Sequence, residues 1–357
     1  MRLPDLRRLI QPTRLWPAGP HTPRRATWSE LFFDLVFVAA VSEAGKSLSA
    51  DFSFPGVFRY CFLFLLIWWA WSGHTLFTTR FQSDDLVQKL FTLVQSFIAA
   101  VMAANARDAL DSRSSAGFGA AYAGMRLVLV FQYLRARRIP ETRALTTRFA
   151  LGFSIAALIW IASAFTDAPL RYWLWTLALV IDFATPWLAE RHGMHVPPHA
   201  EHFPERYGLF TIILLGEFIA EVMRGIGSQE YWSLPAAATA FGGMAFAFFL
   251  RWLYFDGAAG ASERHIHTPE QARRFHVWNY AHLPLFLGLG VTGVGMKHLI
   301  ALQEGQRLHH REAVIFAASL AATMASLAVI GFVSERASQA PVSTLPLRQA
   351  PHSAVQS

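Results

Sequence analysis

A single cysteine, Cys61, is all that 357 residues provide. No internal disulfide can form from it, and no cysteine-based zinc cluster can be assembled. Charge is scarce too: 15% of residues are charged, where a soluble domain carries about 25%. The sequence also lacks a phosphate-cradling loop, a nucleophile elbow and a haem attachment signature. Those absences disfavour an enzyme, and no cofactor is expected. What the chain has is apolar bulk, with 54% hydrophobic residues, 30 Phe and 12 Trp, and a mean hydropathy of +0.31. The 31 Lys and Arg against 24 Asp and Glu could suggest nucleic acid. In so apolar a chain they read as basic loops beside a membrane instead, so nucleic acid is not an expected partner. The lipid bilayer is.

A spanning helix needs about 20 mostly apolar residues. Ten such stretches occur, at roughly 28–48, 54–77, 87–107, 117–136, 147–167, 170–190, 207–227, 233–256, 277–300 and 312–333. Turn and charge signals separate them, including Asp51 to Pro55, Ser83 to Asp85, Arg135 to Arg143 and Thr166 to Pro169. The expected fold class is therefore all-α, a polytopic membrane helix bundle. Alternating the ten spans places 20 Lys and Arg on the side of both termini and eight on the other, which predicts cytoplasmic termini. Residues 1–27 read as a basic cytoplasmic tail and not as a signal peptide, because Glu30 and Asp34 interrupt the apolar segment that follows. Residues 28–335 form the transmembrane domain, and 336–357, with Pro341, Pro346 and Pro351, read as a disordered tail.

Charges inside spans are costly, at roughly 2.5–3.5 kcal/mol each on the insertion scale. In the first span Glu30 and Asp34 stand four apart and share a helix face. In the seventh, Glu217 and Glu221 repeat that spacing. Glu217 lies about ten residues in, roughly 15 Å deep, beside Gly216, which would let a neighbouring helix approach closely. Asp182 precedes Pro186 by four residues, so the proline frees the carbonyl at Asp182 itself. Pro284 does the same to Tyr280, with His282 between them. Glu30, Asp34, Asp182, Glu217, Glu221 and His282 are thus candidates for an ion or proton pathway. Arg126, Arg206, Arg251 and Asp256 are read as structural charge partners. Glu43, Arg59 and Lys297, near span ends, are expected to snorkel. The run His192, His195, His199 and His202 has ligand-like spacing, yet prolines break it, and no required metal site is expected.

A shift of 183 residues lays Asp34 on Glu217, Trp69 on Trp252 and Trp71 on Tyr254. This suggests a parallel tandem repeat of helices 1–4 and 7–10.

Two motifs are specific: Ala26 to Val38, reading ATWSELFFDLVFV, and His202 to Glu217, reading HFPERYGLFTIILLGE. They resemble motifs of the bacterial low temperature requirement A family, as do Tyr122 with Arg126, Asp182 with Pro186, Trp252 to Asp256 and Tyr280 to Leu285. The likeness covers roughly residues 24–335. Residues 79–85 depart from the family's usual run, with Thr79 for an amide and Gln82 for an acid. The resemblance implies a multi-pass inner-membrane protein connected by name with growth in the cold. It implies no reaction and no substrate. The Phe32-Phe33-Asp34 segment is also similar to a Phe-x-Asp signature of six-helix-repeat potassium channels.

A membrane-embedded enzyme, using His282 with Glu217 or the histidine run, is disfavoured for want of a nucleophile or metal set, and two functions compete. One is a transporter or channel moving protons, cations or a small solute past the buried acids. The other is a scaffold or sensor in which acid–arginine pairs only fix packing. A second copy of the chain stays open as a partner.

Overall fold

Five of the helices begin where a side chain accepts from a first-turn backbone N–H. The computed structural model describes residues 11–16, 26–82, 85–111, 114–190, 196, 198–229, 231, 233–257, 268–302 and 305–338. Among them are ten α-helices: α1 (Trp28–Ala50), α2 (Phe54–Arg80), α3 (Leu86–Ala106), α4 (Ser115–Ala136), α5 (Arg143–Ala164), α6 (Leu170–Glu190), α7 (His202–Gly227), α8 (Leu234–Trp252), α9 (Pro269–Ile300) and α10 (His310–Ser338). Thr27 and Glu30 form a reciprocal capping box at α1, as Thr268 and Gln271 do at α9. Ser53, Asp85 and Ser233 cap α2, α3 and α8.

Seven of these helices are long and apolar enough to cross a membrane by length and composition. The three that fall short, α1, α4 and α7, are the ones that carry Asp34, Arg126 and Arg206. Those three charges are buried within protein. The surface of the bundle is greasy: Phe97, Leu158 and Phe241 are at least 65% exposed, as expected where lipid replaces water.

Helix α1 packs most extensively against α3, and α7 does so against α9. Helices α1 and α7 also touch and run in the same direction. Glu30 meets His202 and Arg206, Asp34 meets Arg206, and further along a Cβ on Gly45 would stand 3.8 Å from Glu221 Oε1. The 183-residue offset holds for the starts of α3 and α9, at Leu86 and Pro269, but α1 and α7 start at Trp28 and His202. Asp34 therefore sits in the second turn of α1, whereas Glu217 lies past the middle of α7. Trp69 is buried and Trp252 is 52% exposed. These ungapped pairings fail because the connection after α7 is longer than the one after α1.

Part of the N-terminal segment is docked on the bundle. Arg14–Leu15 (β1) pairs antiparallel with Phe81–Gln82 (β2), Trp16 Nε1 donates to the Thr78 carbonyl at 3.3 Å, and Thr13 is buried. At the other terminus α10 continues to Ser338, and residues 339–357 lie outside the described residues.

Candidate functional site

The densest charge cluster joins α1 to α7. Asp34 is fully buried. Its Oδ1 accepts from Trp71 Nε1 at 2.7 Å and from Arg206 Nη2 at 2.5 Å, while its Oδ2 has no hydrogen-bond partner. One turn earlier, Glu30 Oε2 accepts from the Thr27 backbone at 2.8 Å. Its Oε1 lies 3.1 Å from His202 Nε2 and 3.3 Å from Arg206 Nη1. His202 Nδ1 faces Glu205 Oε2 at 3.2 Å, and Glu205 also accepts from the Ala26 N–H at 3.0 Å. Both ring nitrogens of His202 thus meet carboxylates, and only an imidazolium donates from both at once. Three carboxylates face Arg206 and His202, so even with His202 charged one negative charge is left over.

Behind this cluster runs a buried polar chain across three helices. His74 Nδ1 of α2 donates to Gln95 Oε1 of α3 at 2.8 Å, and Gln132 Nε2 of α4 reaches the same oxygen at 3.4 Å. His74 Nε2 and Gln132 Oε1 have no partner. Sequence reasoning overlooked this chain. Two glutamines within apolar helices were the available signal.

Asp182 belongs to a separate pair. Arg126 Nε donates to its Oδ2 at 2.8 Å, and Arg126 Nη2 donates to Tyr122 Oη at 2.6 Å. The guanidinium also lies over the Tyr122 and Phe153 rings, at 4.9 and 5.4 Å. Asp182 Oδ1 has no hydrogen-bond partner.

Glu217 and Glu221 form a third cluster, with Arg224 as their shared partner. Arg224 Nη2 lies 2.5 Å from Glu217 Oε1 and 2.8 Å from Glu221 Oε1. Glu217, about ten residues into its span, is less enclosed by protein than the other candidate acids. Its side chain is 19% exposed and that of Glu221 is 5% exposed, whereas Asp34 and Asp182 are at 0%. Distance along a helix measures depth in the bilayer but not enclosure by protein. Gly216 mediates no close approach either, since a Cβ there would meet nothing within 4 Å. Asp34, Asp182 and Glu217 thus occupy three separate clusters.

His282 is held as a packing group. Its Nδ1 lies 2.7 Å from the Trp278 carbonyl and must donate to it, and its Nε2 lies 2.9 Å from Tyr254 Oη. The Arg251–Asp256 pair, at 3.3 Å, is half exposed. Near the helix ends, Lys46 pairs with Glu43, and Lys297 donates to Ser49 Oγ at 2.7 Å. Of the histidine run, His199 Nδ1 accepts from the His202 N–H, and His192 and His195 lie outside the described residues. Among the described residues no group of three or more His, Cys, Asp or Glu side chains could hold a metal ion.

The α1–α7 cluster sets three carboxylates, Glu30, Asp34 and Glu205, against Arg206 and His202. Its partners were visible as motifs in the sequence, but the pairing of Asp34 with Arg206 was not.

No solved structure matches the chain. A protein of Rhizobium meliloti (strain 1021) described as uncharacterized is 31% identical over 293 residues, covering 76% of this chain and 68% of its own. The profile described as bacterial low temperature requirement A protein (LtrA) matches residues 25–354, and the chain belongs to that family of membrane proteins.

Proposed function

We propose that this protein moves protons or cations across the bacterial inner membrane, with Asp34 and Arg206 at the centre of the device. On this reading the chain crosses ten times, keeps both termini in the cytoplasm and is not an enzyme. The observation that carries it is the state of Asp34: fully buried, one oxygen doubly bound, the other without a partner. Ionisable groups inside membrane segments are expensive and mark ion or proton pathways by default. A proton on Asp34 Oδ2 would neutralise the carboxylate and loosen its hold on Arg206. Glu30 Oε1 already lies 3.3 Å from Arg206 Nη1 and would take over the guanidinium. Protonation would thereby bias the α1–α7 contact between two arrangements, which is what a transport cycle needs.

The parallel course of α1 and α7, and their matching preference for α3 and α9, support a tandem repeat of α1–α4 and α7–α10 with its axis along the membrane normal. In such an arrangement the first helices of the two units meet at the axis, where the charge cluster lies.

The test is flux. Protein reconstituted in liposomes should pass protons or monovalent cations, and Asp34→Asn should insert and fold normally yet lose that flux. A second reading, a scaffold or sensor, is favoured by the arginine beside every buried acid: Arg206, Arg126 and Arg224. Unchanged flux per folded molecule in Asp34→Asn, with reduced yield, would decide for the scaffold.

A further inference from the structure

Between α2, α6, α9 and α10 lies a cleft of about 970 Å3. Both proline-interrupted helices line it, through Pro186 of α6 and Pro284 of α9. Its walls are mainly apolar, but its polar groups are arranged by level. Arg80, the last residue of α2, and Arg273, in the first turns of α9, line it where those helices reach the same end of the bundle. Deeper lie Asn279 and Trp69, 5% and 4% exposed. Asn279 Oδ1 has no hydrogen-bond donor and Trp69 Nε1 no acceptor. Both atoms are closed off by protein, so neither faces the cleft.

Helix geometry sets the level of the site. The 32 residues of α9 extend about 48 Å, well beyond the roughly 30 Å hydrocarbon core. The polar residues Glu270, Arg273, Arg274, His276 and Asn279 all fall in its first eleven positions, and the apolar run follows His282. Asn279 therefore lies where headgroups give way to acyl chains. A cleft that is cationic at the rim and apolar below matches the build of a phospholipid.

We propose that this cleft holds one anionic phospholipid drawn from the surrounding bilayer. Its phosphate would face Arg80 and Arg273 at the rim. An acyl chain would lie along the wall of Pro186 and Pro284. Phosphatidylglycerol supplies the net negative charge that the two arginines select, whereas phosphatidylcholine carries none. The inference stands apart from the transport reading and holds for a scaffold equally well.

Native mass spectrometry of the purified chain in detergent, offered equal amounts of the two lipids, tests it. One phosphatidylglycerol per chain should survive activation, about tenfold more often than phosphatidylcholine. Ala325→Trp, which fills the cleft from α10, should abolish that retention, and Arg273→Ala, at an exposed position, should weaken it about tenfold. Equal retention of the two lipids would overturn the proposal. So would full phosphatidylglycerol retention by a correctly folded Ala325→Trp protein. If Ala325→Trp does not fold, Arg273→Ala decides alone: undiminished selectivity in that variant would sink the site.

Discussion

Arg206 Nη2 stands 2.5 Å from Asp34 Oδ1, across 172 residues of chain, with both side chains buried. The contact pins the N-terminal part of α7 to that of α1. Such a pair is asymmetric energetically. Taking two charges out of water cancels much of their attraction, so the intact pair contributes little net stability, whereas removing one partner strands the other.

Arg206→Met should therefore destabilise the protein by about 3–5 kcal/mol, since it leaves Asp34 and Glu30 buried without the guanidinium. The double substitution Arg206→Met with Asp34→Leu should recover a large part of that loss. Thermal unfolding in detergent gives the comparison. If the double variant were no more stable than Arg206→Met alone, the two residues would not be coupled as described.

The Arg126–Asp182 pair makes the same kind of prediction with a different control. Arg126 also stacks on Tyr122 and Phe153, and its alkyl stem is packed. Arg126→Lys keeps the charge but cannot reproduce both the 2.8 Å bond to Asp182 and the 2.6 Å bond to Tyr122. We expect Arg126→Lys to lower the melting temperature clearly, and Tyr122→Phe, which removes one hydrogen bond, to cost only about 1 kcal/mol. Equal melting temperatures for Arg126→Lys and the parent would show that charge alone matters there.

The helix positions were legible because apolar runs alternate with turn and charge signals. Asp51 to Pro55 and Arg135 to Arg143 mark breaks that the structure uses. The start of α9 was placed eight residues late because Pro269 to His276 are largely polar, and hydropathy registers the membrane core, not the helix. The acids themselves were also legible, since a charge in an apolar run stands out. Their partners were legible in part: Arg126 and Arg206 stood out in the same way, but Arg224 did not. Arg224 falls in the last turn of α7 and reads as a loop residue, yet it reaches back to Glu217 and Glu221. Which face of a helix meets protein and which meets lipid depends on packing, and nothing local in the sequence specifies that.

Glycines provide a test of that last point. On Gly288 of α9 a methyl group would meet Thr323 Oγ1 and stand 3.0 Å from the Ser319 carbonyl of α10. The backbone cannot yield easily, so Gly288→Ala should destabilise the protein by about 1–3 kcal/mol. Gly216→Ala should be neutral or slightly stabilising, because nothing lies within 4 Å and alanine is the better helix former. Melting curves of the two variants decide. A costly Gly216→Ala would restore the close helix approach that the structure does not show.

The parallel contact of α1 and α7 makes a prediction about topology that is independent of loop charge. Glu30 and Asp34 near the start of α1 meet His202 and Arg206 near the start of α7, so the two helices begin on one side of the membrane and end on the other. Ten crossings satisfy this, because α2 to α6 then supply the five passes between them. Reporter fusions after Ser53 and Ser228, just beyond α1 and α7, should both report the periplasm. Fusions after Arg138 and His199 should report the cytoplasm, in agreement with the charge bias. Opposite sides for Ser53 and Ser228 would contradict the parallel α1–α7 contact and the ten-span reading together.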